Sequence, residues 1–262
     1  MRIHPVPTLG KTRLDKLNAL QLQSLYSSKL DSGLSARTVR MIHTTLHKAM
    51  KQAVRWSLIP RNVTESVTPP REQSLEMRPL DEGQVKSLLR VARGERFEAL
   101  YVLAVTTGMR SGELLGLRWE DVDLEAGTLQ VRRTIFNGRV EAPKTAKGRR
   151  SIKLSQVSVA ALRQHPKVSE WVFCNGASRP VSVHNLHNRS WKPLLKRAGL
   201  PDIRFHDLRH TCATLLLTKG VHPKIVQEML GHSSISITLD TYSHVLPNLQ
   251  GEAVKAMESI FE

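Results

Sequence analysis

Side chains that could carry out phosphoryl transfer are concentrated near the C-terminal end of the chain. His206 and Arg209 lie three residues apart, so on a helix they would share one face. His232 follows a glycine after an apolar run, which places it at or just beyond a helix end. Tyr242 lies ten residues further along, in a polar segment rich in serine and threonine. These four residues define one candidate site.

The residue types of this site suit the transfer of a phosphoryl group to a hydroxyl. Arginine offers planar, permanently charged donors that fit phosphate oxygens. Histidine transfers protons near neutral pH. A tyrosine can act as the nucleophile, although at its usual pKa of about 10 it is inert unless neighbouring cations stabilise the phenolate. The combination therefore predicts attack of Tyr242 on a phosphate.

Each of these residues also has a simpler interpretation. A single tyrosine such as Tyr242 is usually a half-buried core residue. His206 and His210 have the spacing of half a zinc site. The sequence has no HExxH motif, and Cys174 and Cys212 do not form a CxxC pair, so we predict no metal site. His210 is interpreted as a buried, hydrogen-bonded histidine of its helix.

Three longer motifs occur in order between about residues 80 and 246. The first is TTGMRSGELLGLRWEDVD at 106–123, and the second is APKT at 142–145 followed by KGRR at 147–150. The third begins with HDLRHTCATLLLTKG and continues to MLGHSSISITLDTYSHV. Together they closely resemble the first arginine box, the lysine-bearing hairpin and the C-terminal signature of the tyrosine recombinases, the phage integrase family.

The resemblance implies a site-specific DNA strand transferase, an integrase or recombinase. Tyr242 would attack the scissile phosphate and leave a 3′-phosphotyrosyl link with a free 5′-hydroxyl. Arg110 and Arg209 would stabilise charge on the non-bridging oxygens. Lys144, with Lys147 as the competing candidate, would donate a proton to the leaving 5′-oxygen.

The remaining roles implied by the resemblance belong to two histidines and a glutamate. His206 and His232 would hydrogen-bond the phosphate or transfer protons. Glu113 would orient Arg110, although the same pair could be a surface ion pair of little consequence. The phosphotyrosine would keep the energy of the broken bond, so no cofactor, neither metal nor nucleotide, is expected. The sequence accordingly lacks a GxxxxGK loop.

The overall composition is that of a basic protein large enough for two domains. The chain has 262 residues, of which 40% are hydrophobic, with a formal net charge of +16 and a pI near 10.4. This charge predicts a polyanionic partner, with nucleic acid favoured over an anionic membrane surface. The sequence has no long apolar run or signal peptide, and its two cysteines are far apart. We therefore predict a reduced cytoplasmic protein, associated with the bacterial nucleoid and not with a membrane.

The N-terminal segment is expected to be helical and basic. Residues 12–30 and 35–56 have the spacing of two helices, with Ser35 as the N-cap of the second. The absence of an acidic residue from one face of the second helix favours contact with DNA phosphates over a solvated charged face. The predicted buried face consists of Val39, Ile42, Leu46, Ala49 and Ala53. The opposite face, which we name the basic stripe, consists of Arg40, Thr44, His47, Lys51 and Arg55.

The fold class predicted is mainly α with a small antiparallel β-sheet, in the two-domain architecture of the tyrosine recombinases. Residues 1–67 are expected to form the helical core-binding domain, and the proline-containing segment 68–79 the linker. Residues 80–246 would form the catalytic domain, and 247–262 a C-terminal helix. By the same resemblance, the arm-binding domain and the first core-binding helix of the family are expected to be missing.

The catalytic domain is predicted to combine helices with short strands. Asp81 is the expected N-cap of one helix, and a second helix is expected from Glu95 to a break at Gly108. Asn137-Gly138 predicts a tight hairpin. Strands are expected at 129–131, 134–136, 151–154 and 171–174, and a further helix at 183–198.

The predicted partner is double-stranded DNA, bound by four copies of the chain on paired sites. When free, the protein would be a monomer or a weak oligomer. The short amphipathic helix at 247–262 would dock on its own domain or, as the resemblance favours, on the neighbouring copy. Two other functions remain open at this point. One is a DNA-binding protein of the same fold that does not cleave, and the other is a DNA-relaxing enzyme of the type IB topoisomerase class.

Overall fold

The chain forms two compact units, Met1–Glu76 and Met77–Glu262. The computed structural model describes residues 3–72, 77–142, 148–245, 254 and 257–261. These residues are mainly helical, with two small antiparallel sheets, and the predicted fold class is confirmed. The assignment of 1–67, 68–79, 80–246 and 247–262 to particular domain functions stays a prediction.

The first unit contains helices α1 (Pro5–Leu9), α2 (Ala19–Asp31) and α3 (Ala36–Arg55). The prediction of one helix over 12–30 is wrong in its first part, because Asn18 caps α2. The Asn18 side chain accepts the backbone N–H of Gln21, whose side chain accepts the backbone N–H of Asn18 in return.

Helix α3 begins where the sequence predicts. The hydroxyl of Ser35 accepts the backbone N–H of Thr38 at 3.2 Å, which satisfies one free donor of the first turn. Its buried face differs at one position from the predicted face, because Met50 is buried and Ala49 is exposed. The buried residues of α3 are Val39, Ile42, Leu46, Met50 and Ala53.

The second unit is built around helix α5 (Glu98–Thr107), whose residues are buried almost without interruption. Asp81 caps the preceding helix as predicted, in a reciprocal pair with Gln84. Gly108 ends α5 with a φ of +61°, a conformation that favours glycine. The first helices of this unit are α4 (Glu82–Ala92), α5 (Glu98–Thr107) and α6 (Ser111–Leu115).

The strands form a three-stranded sheet and a separate hairpin. The sheet contains, in spatial order, Val122–Asp123, Thr128–Val131 and Arg150–Lys153. Thr134–Phe136 pairs with Arg139–Glu141 across the predicted Asn137-Gly138 turn. No strand forms at 171–174, because only Trp171 and Cys174 make isolated bridges there. The strands are β1 (Val122–Asp123), β2 (Thr128–Val131), β3 (Thr134–Phe136), β4 (Arg139–Glu141) and β5 (Arg150–Lys153).

The remaining helices of the second unit include those that carry the C-terminal motif. The predicted helix at 183–198 is present, but its middle, His187–Trp191, is a π-helical segment. It is anchored by Trp191, which is fully buried and donates its indole N–H to the Ile203 carbonyl at 2.9 Å. These helices are α7 (Gln156–Gln164), α8 (Val183–Leu186), α9 (Lys192–Arg197), α10 (Asp207–Thr218), α11 (Pro223–Leu230) and α12 (Ile235–Tyr242).

Candidate active site

The C-terminal motif and the first arginine box meet at one cavity of about 300 Å³ in the second unit. Five of the six predicted catalytic residues line it, and they come from α10 and the residue before it, from α12, and from the turns before α6 and after α11. The sixth, Lys144, and its competitor Lys147 lie outside the described residues. The lining residues are Arg110, His206, Arg209, His210, Gly231, His232, Ser233, Ile237, Thr241 and Tyr242.

Tyr242 is the last residue of α12, a helix in a stretch where the sequence predicts only a polar segment. Its side chain is 2% exposed, and its hydroxyl lies 2.7 Å from Nδ1 of His210. Burial raises the pKa of Tyr242 to about 12, although the charge of Arg209 acts in the opposite direction. In the free protein, burial therefore raises the pKa of Tyr242 more than the neighbouring arginine lowers it, so the cation does not activate the phenol as expected.

Arg209 lies on α10 and is 3% exposed. One terminal nitrogen, Nη1, donates to the Gly108 carbonyl at 2.8 Å, so the glycine turn after α5 holds the guanidinium. The other, Nη2, is buried and has no hydrogen-bond partner among the described residues. Burial, followed by the charge of Arg110, lowers the pKa of Arg209 to about 9, which leaves it cationic at neutral pH. An anion in the cavity would satisfy this buried donor.

Arg110 immediately precedes α6, and Glu113 holds it in two ways. One carboxylate oxygen accepts the Arg110 guanidinium at 2.9 Å, and the other accepts its backbone N–H at 2.9 Å. Glu113 is only 4% exposed, whereas the Arg110 side chain is 42% exposed toward solvent. The pair is thus anchored in the interior, which favours an orienting role for Glu113 over a surface ion pair.

Arg150, the first residue of β5, is a site residue that the sequence analysis did not single out. Its Nη1 and Nη2 donate to the two carboxylate oxygens of Glu113 at 3.2 and 2.9 Å. Its Nε donates to the Met229 carbonyl at 2.7 Å, near the end of α11. Arg150 therefore links β5, α6 and the turn before His232. Burial raises the pKa of Glu113, but Arg150 and then Arg110 outweigh it and lower the pKa overall.

Gly231, between α11 and His232, is required by backbone and by packing. Its φ of +68° lies in the left-handed region. A Cβ at this position would lie 2.8 Å from Nη1 of Arg150. Because the guanidinium of Arg150 is hydrogen-bonded on several sides, it has little freedom to move away. The turn that presents His232 is therefore built around Arg150.

The two histidines predicted to contact phosphate are neutral in this environment. Burial, and next the charge of Arg209, lowers the pKa of both His206 and His232 to about 4. Nδ1 of His232 lies 2.8 Å from the hydroxyl of Thr238, which fixes the ring. His206 keeps more of its surface exposed and packs edge-on against His210, with ring centroids 5.5 Å apart.

The basic stripe lies in the first unit and is only partly free for a partner. Arg40, Lys51 and Arg55 are exposed. Thr44 donates its hydroxyl to the Arg40 carbonyl at 3.0 Å. His47 is partly buried, with Nδ1 lying 2.9 Å from the hydroxyl of Thr64. The three long cations are therefore its strongest candidates for DNA contact, and His47 has a structural use.

Two further searches concern metals and membranes. Across the described parts of the chain, no cluster of three or more His, Cys, Asp or Glu side chains could hold a metal ion. His206 and His210 are accordingly not joined there by a third ligand. Among the helices described, none is long and apolar enough to cross a membrane.

The similarity to known proteins agrees with this site. A family model described as "Phage integrase family" matches residues 78–248. An XerC-like tyrosine recombinase of Caldanaerobacter subterraneus is 28% identical over 285 residues, covering 95% of this chain and 73% of that protein. The ICEBs1 integrase of Bacillus subtilis is 26% identical, covering 95% of this chain and 73% of that protein.

Solved structures show the same fold. The Tn1549 transposon integrase in complex with a circular intermediate DNA has a TM-score of 0.82 at 22% identity, covering 99% of this chain and 90% of that one. A lambda integrase tetramer bound to a Holliday junction has a TM-score of 0.67 at 22% identity, covering 85% and 66%. The chain therefore belongs to the phage integrase family, and it is a site-specific tyrosine recombinase that acts on DNA.

Proposed function

We propose that this recombinase cleaves and rejoins DNA through a 3′-phosphotyrosyl intermediate on Tyr242, without metal or nucleotide. The observation that carries the proposal is the shared cavity, in which the Tyr242 hydroxyl, Arg110 and Arg209 all meet. Attack on phosphorus would transfer the DNA 3′-phosphate to the phenolic oxygen and release a 5′-hydroxyl. Rejoining would reverse these steps, because the phosphotyrosyl bond retains the energy of the broken diester.

The arginines would stabilise the charge that develops on the non-bridging oxygens. The unpartnered Nη2 of Arg209 offers a buried donor that no protein group among the described residues uses. Glu113 and Arg150 would hold Arg110 in position, so that little reorganisation is required when the phosphate binds.

The histidines and a lysine would complete the reaction. His206 and His232, both neutral because their pKa values are lowered to about 4, would donate hydrogen bonds to the phosphate or transfer protons. We assign the general acid for the leaving 5′-oxygen to Lys144, with Lys147 as the alternative, on the basis of the second sequence motif.

The substrate proposed is double-stranded DNA, held by the chain's net charge of +16 and by the exposed cations of the basic stripe. Solved relatives include an integrase bound to a circular intermediate DNA and a lambda integrase tetramer bound to a Holliday junction. By analogy, we propose that four copies of this chain assemble on paired sites.

Substitution of Tyr242 by phenylalanine tests the nucleophile. The protein would first be incubated with fragments of the genome that encodes this chain. Covalent complexes isolated under denaturing conditions would then identify the cleaved sequence. A duplex of that sequence, nicked beside the scissile phosphate, would then trap the intermediate. Tyr242→Phe should abolish the adduct and leave DNA binding nearly unchanged, because a single hydroxyl is lost. An adduct formed equally by the variant would exclude Tyr242, and a wild-type protein that binds without any adduct would be a DNA-binding protein only.

A further inference from the structure

The nucleophile proposed above requires a proton acceptor. Burial raises the pKa of Tyr242 to about 12. At neutral pH the phenolate would therefore be roughly 10⁻⁵ of the population. Arg209 favours the phenolate, but its charge does not offset the cost of burial. A base beside the hydroxyl would remove this limitation by taking the proton as the phosphorus–oxygen bond forms.

His210 occupies the position that such a base requires. Its Nδ1 lies 2.7 Å from the Tyr242 hydroxyl, and the two ring centroids are 5.8 Å apart. Both residues line the same cavity as the arginines. We propose that His210 is the general base that accepts the phenolic proton of Tyr242. The inference rests on the proposed role of Tyr242 as the nucleophile.

The proton and electron pairs can be followed through the step. The Tyr242 O–H bond breaks, and its proton passes to Nδ1 of His210, which becomes an imidazolium. The phenolic oxygen forms the new bond to phosphorus, while the bond from phosphorus to the 5′-oxygen breaks. The 5′-oxygen takes a proton from the general acid. In rejoining, the 5′-hydroxyl gives its proton back to the general acid as it attacks phosphorus. The imidazolium returns its proton to the phenolic oxygen as the bond from phosphorus to Tyr242 breaks.

The surroundings keep His210 neutral before the reaction. Burial lowers its pKa most, Arg204 and Arg209 lower it further, and Asp207 raises it. Asp207 also accepts the Arg204 guanidinium at 2.8 Å, so its charge is shared. The titratable and charged groups around the imidazole are Arg204, His206, Asp207 and Arg209 along α10 and its approach, His232 from the turn after α11, and Tyr242 from α12.

The other histidines of the cavity are less well placed for this role. Nδ1 of His232 is occupied by the Thr238 hydroxyl at 2.8 Å. The His206 ring packs against His210, with centroids 5.5 Å apart. His210 is therefore the histidine in contact with the Tyr242 hydroxyl, although the sequence predicts that His206 and His232 contact the phosphate.

The test replaces His210 by asparagine, whose amide oxygen can accept the tyrosine hydrogen bond but cannot take up a proton at neutral pH. The rate of adduct formation would be measured on the nicked duplex between pH 6 and 10. His210→Asn should be slower at pH 7 by about 10²–10⁴-fold, the usual contribution of general base catalysis. Its rate should then rise about tenfold per pH unit as the phenolate forms. The wild-type rate should stay nearly constant from pH 7 to 9.

Controls separate this inference from the proposed function. His184→Asn, a change at an exposed histidine of α8, should behave as wild type. If His210→Asn keeps the wild-type rate and pH profile, the inference is wrong while Tyr242 remains the nucleophile. If the wild-type protein forms no adduct, both fail. If His210→Asn does not fold, judged by circular dichroism and DNA binding, the wild-type profile decides. A wild-type rate that rises tenfold per unit from pH 7 to 9 would overturn the inference.

Discussion

At the scale of single residues, Arg150 makes several buried contacts in the site, although the sequence does not predict it there. It neutralises a carboxylate that is 4% exposed and fixes the end of α11, while its own side chain is 7% exposed. Removing one partner from a buried ion pair leaves an uncompensated charge. The effect of Arg150 on catalysis would therefore be indirect, through the positions of Arg110 and His232.

Replacing Arg150 by methionine should destabilise the second unit by about 3–5 kcal/mol, because Glu113 loses its main partner. Urea unfolding would measure the loss. Adduct formation should also slow, with a smaller change in DNA binding. The matched control is Arg149→Met, since Arg149 is the neighbouring exposed arginine. Equal stability of the two variants would show that the Arg150–Glu113 pair contributes nothing to the fold.

The general acid is the second prediction at the residue scale. If Lys144 protonates the 5′-oxygen, Lys144→Ala should be inactive on ordinary DNA because an alkoxide leaves poorly without a proton. A substrate with sulfur at the bridging 5′ position should restore cleavage, since a thiolate leaves unprotonated. The same substrate tested with Lys147→Ala is the control. Rescue of Lys147→Ala alone would move the role to that residue, and rescue of neither would place the acid elsewhere.

At the scale of elements, helix α3 joins a buried apolar face to exposed cations. Affinity for DNA should fall steeply with salt, with a log–log slope of about −0.9 per phosphate neutralised. Replacing Arg40, Lys51 and Arg55 together by glutamine should flatten this slope. A triple replacement of other exposed cations, Lys11, Lys16 and Arg61, is the control in the same unit. An unchanged slope for the first variant would make the stripe a solvated face.

The elements that sequence alone predicts are those whose signal is local. The Ser35 cap, the Asp81 cap, the break at Gly108 and the Asn137-Gly138 turn each depend on neighbouring residues, and each is present. The predicted start at residue 12 failed because a continuing apolar pattern concealed the cap formed by Asn18.

The parts of the site that could not be predicted depend on distant contacts. Arg150 bonds to Glu113 across 37 positions and to the Met229 carbonyl across 79, and nothing in the run KGRR distinguishes it from Arg149. The sequence predicts only a structural role for His210, because its partner, Tyr242, lies 32 positions away on another helix. The spacing of His206 and Arg209 could indicate a shared face, but not which histidine meets the tyrosine.

At the scale of the whole molecule, the apolar side chains near the C-terminus suggest an assembly contact. Val254, Met257, Ile260 and Phe261 are each more than half exposed. Deleting residues 250–262 should leave a folded protein that binds DNA but stays mostly monomeric on it and completes little strand exchange. Light scattering on a duplex, with and without the segment, would measure the assembly. Unfolding of the shortened protein, or assembly equal to that of the intact chain, would indicate that the segment packs on its own domain.

The close packing of Gly231 against Arg150 has a consequence for how the sequence can vary. An asparagine tolerates a positive φ, so backbone conformation alone would permit it at position 231. The guanidinium of Arg150 excludes asparagine there, because the new side chain would enter the space that the guanidinium fills. The two positions should therefore covary in an alignment of relatives. Asparagine at position 231 should occur only where the arginine at position 150 has been replaced by a smaller residue, although 81 positions separate them.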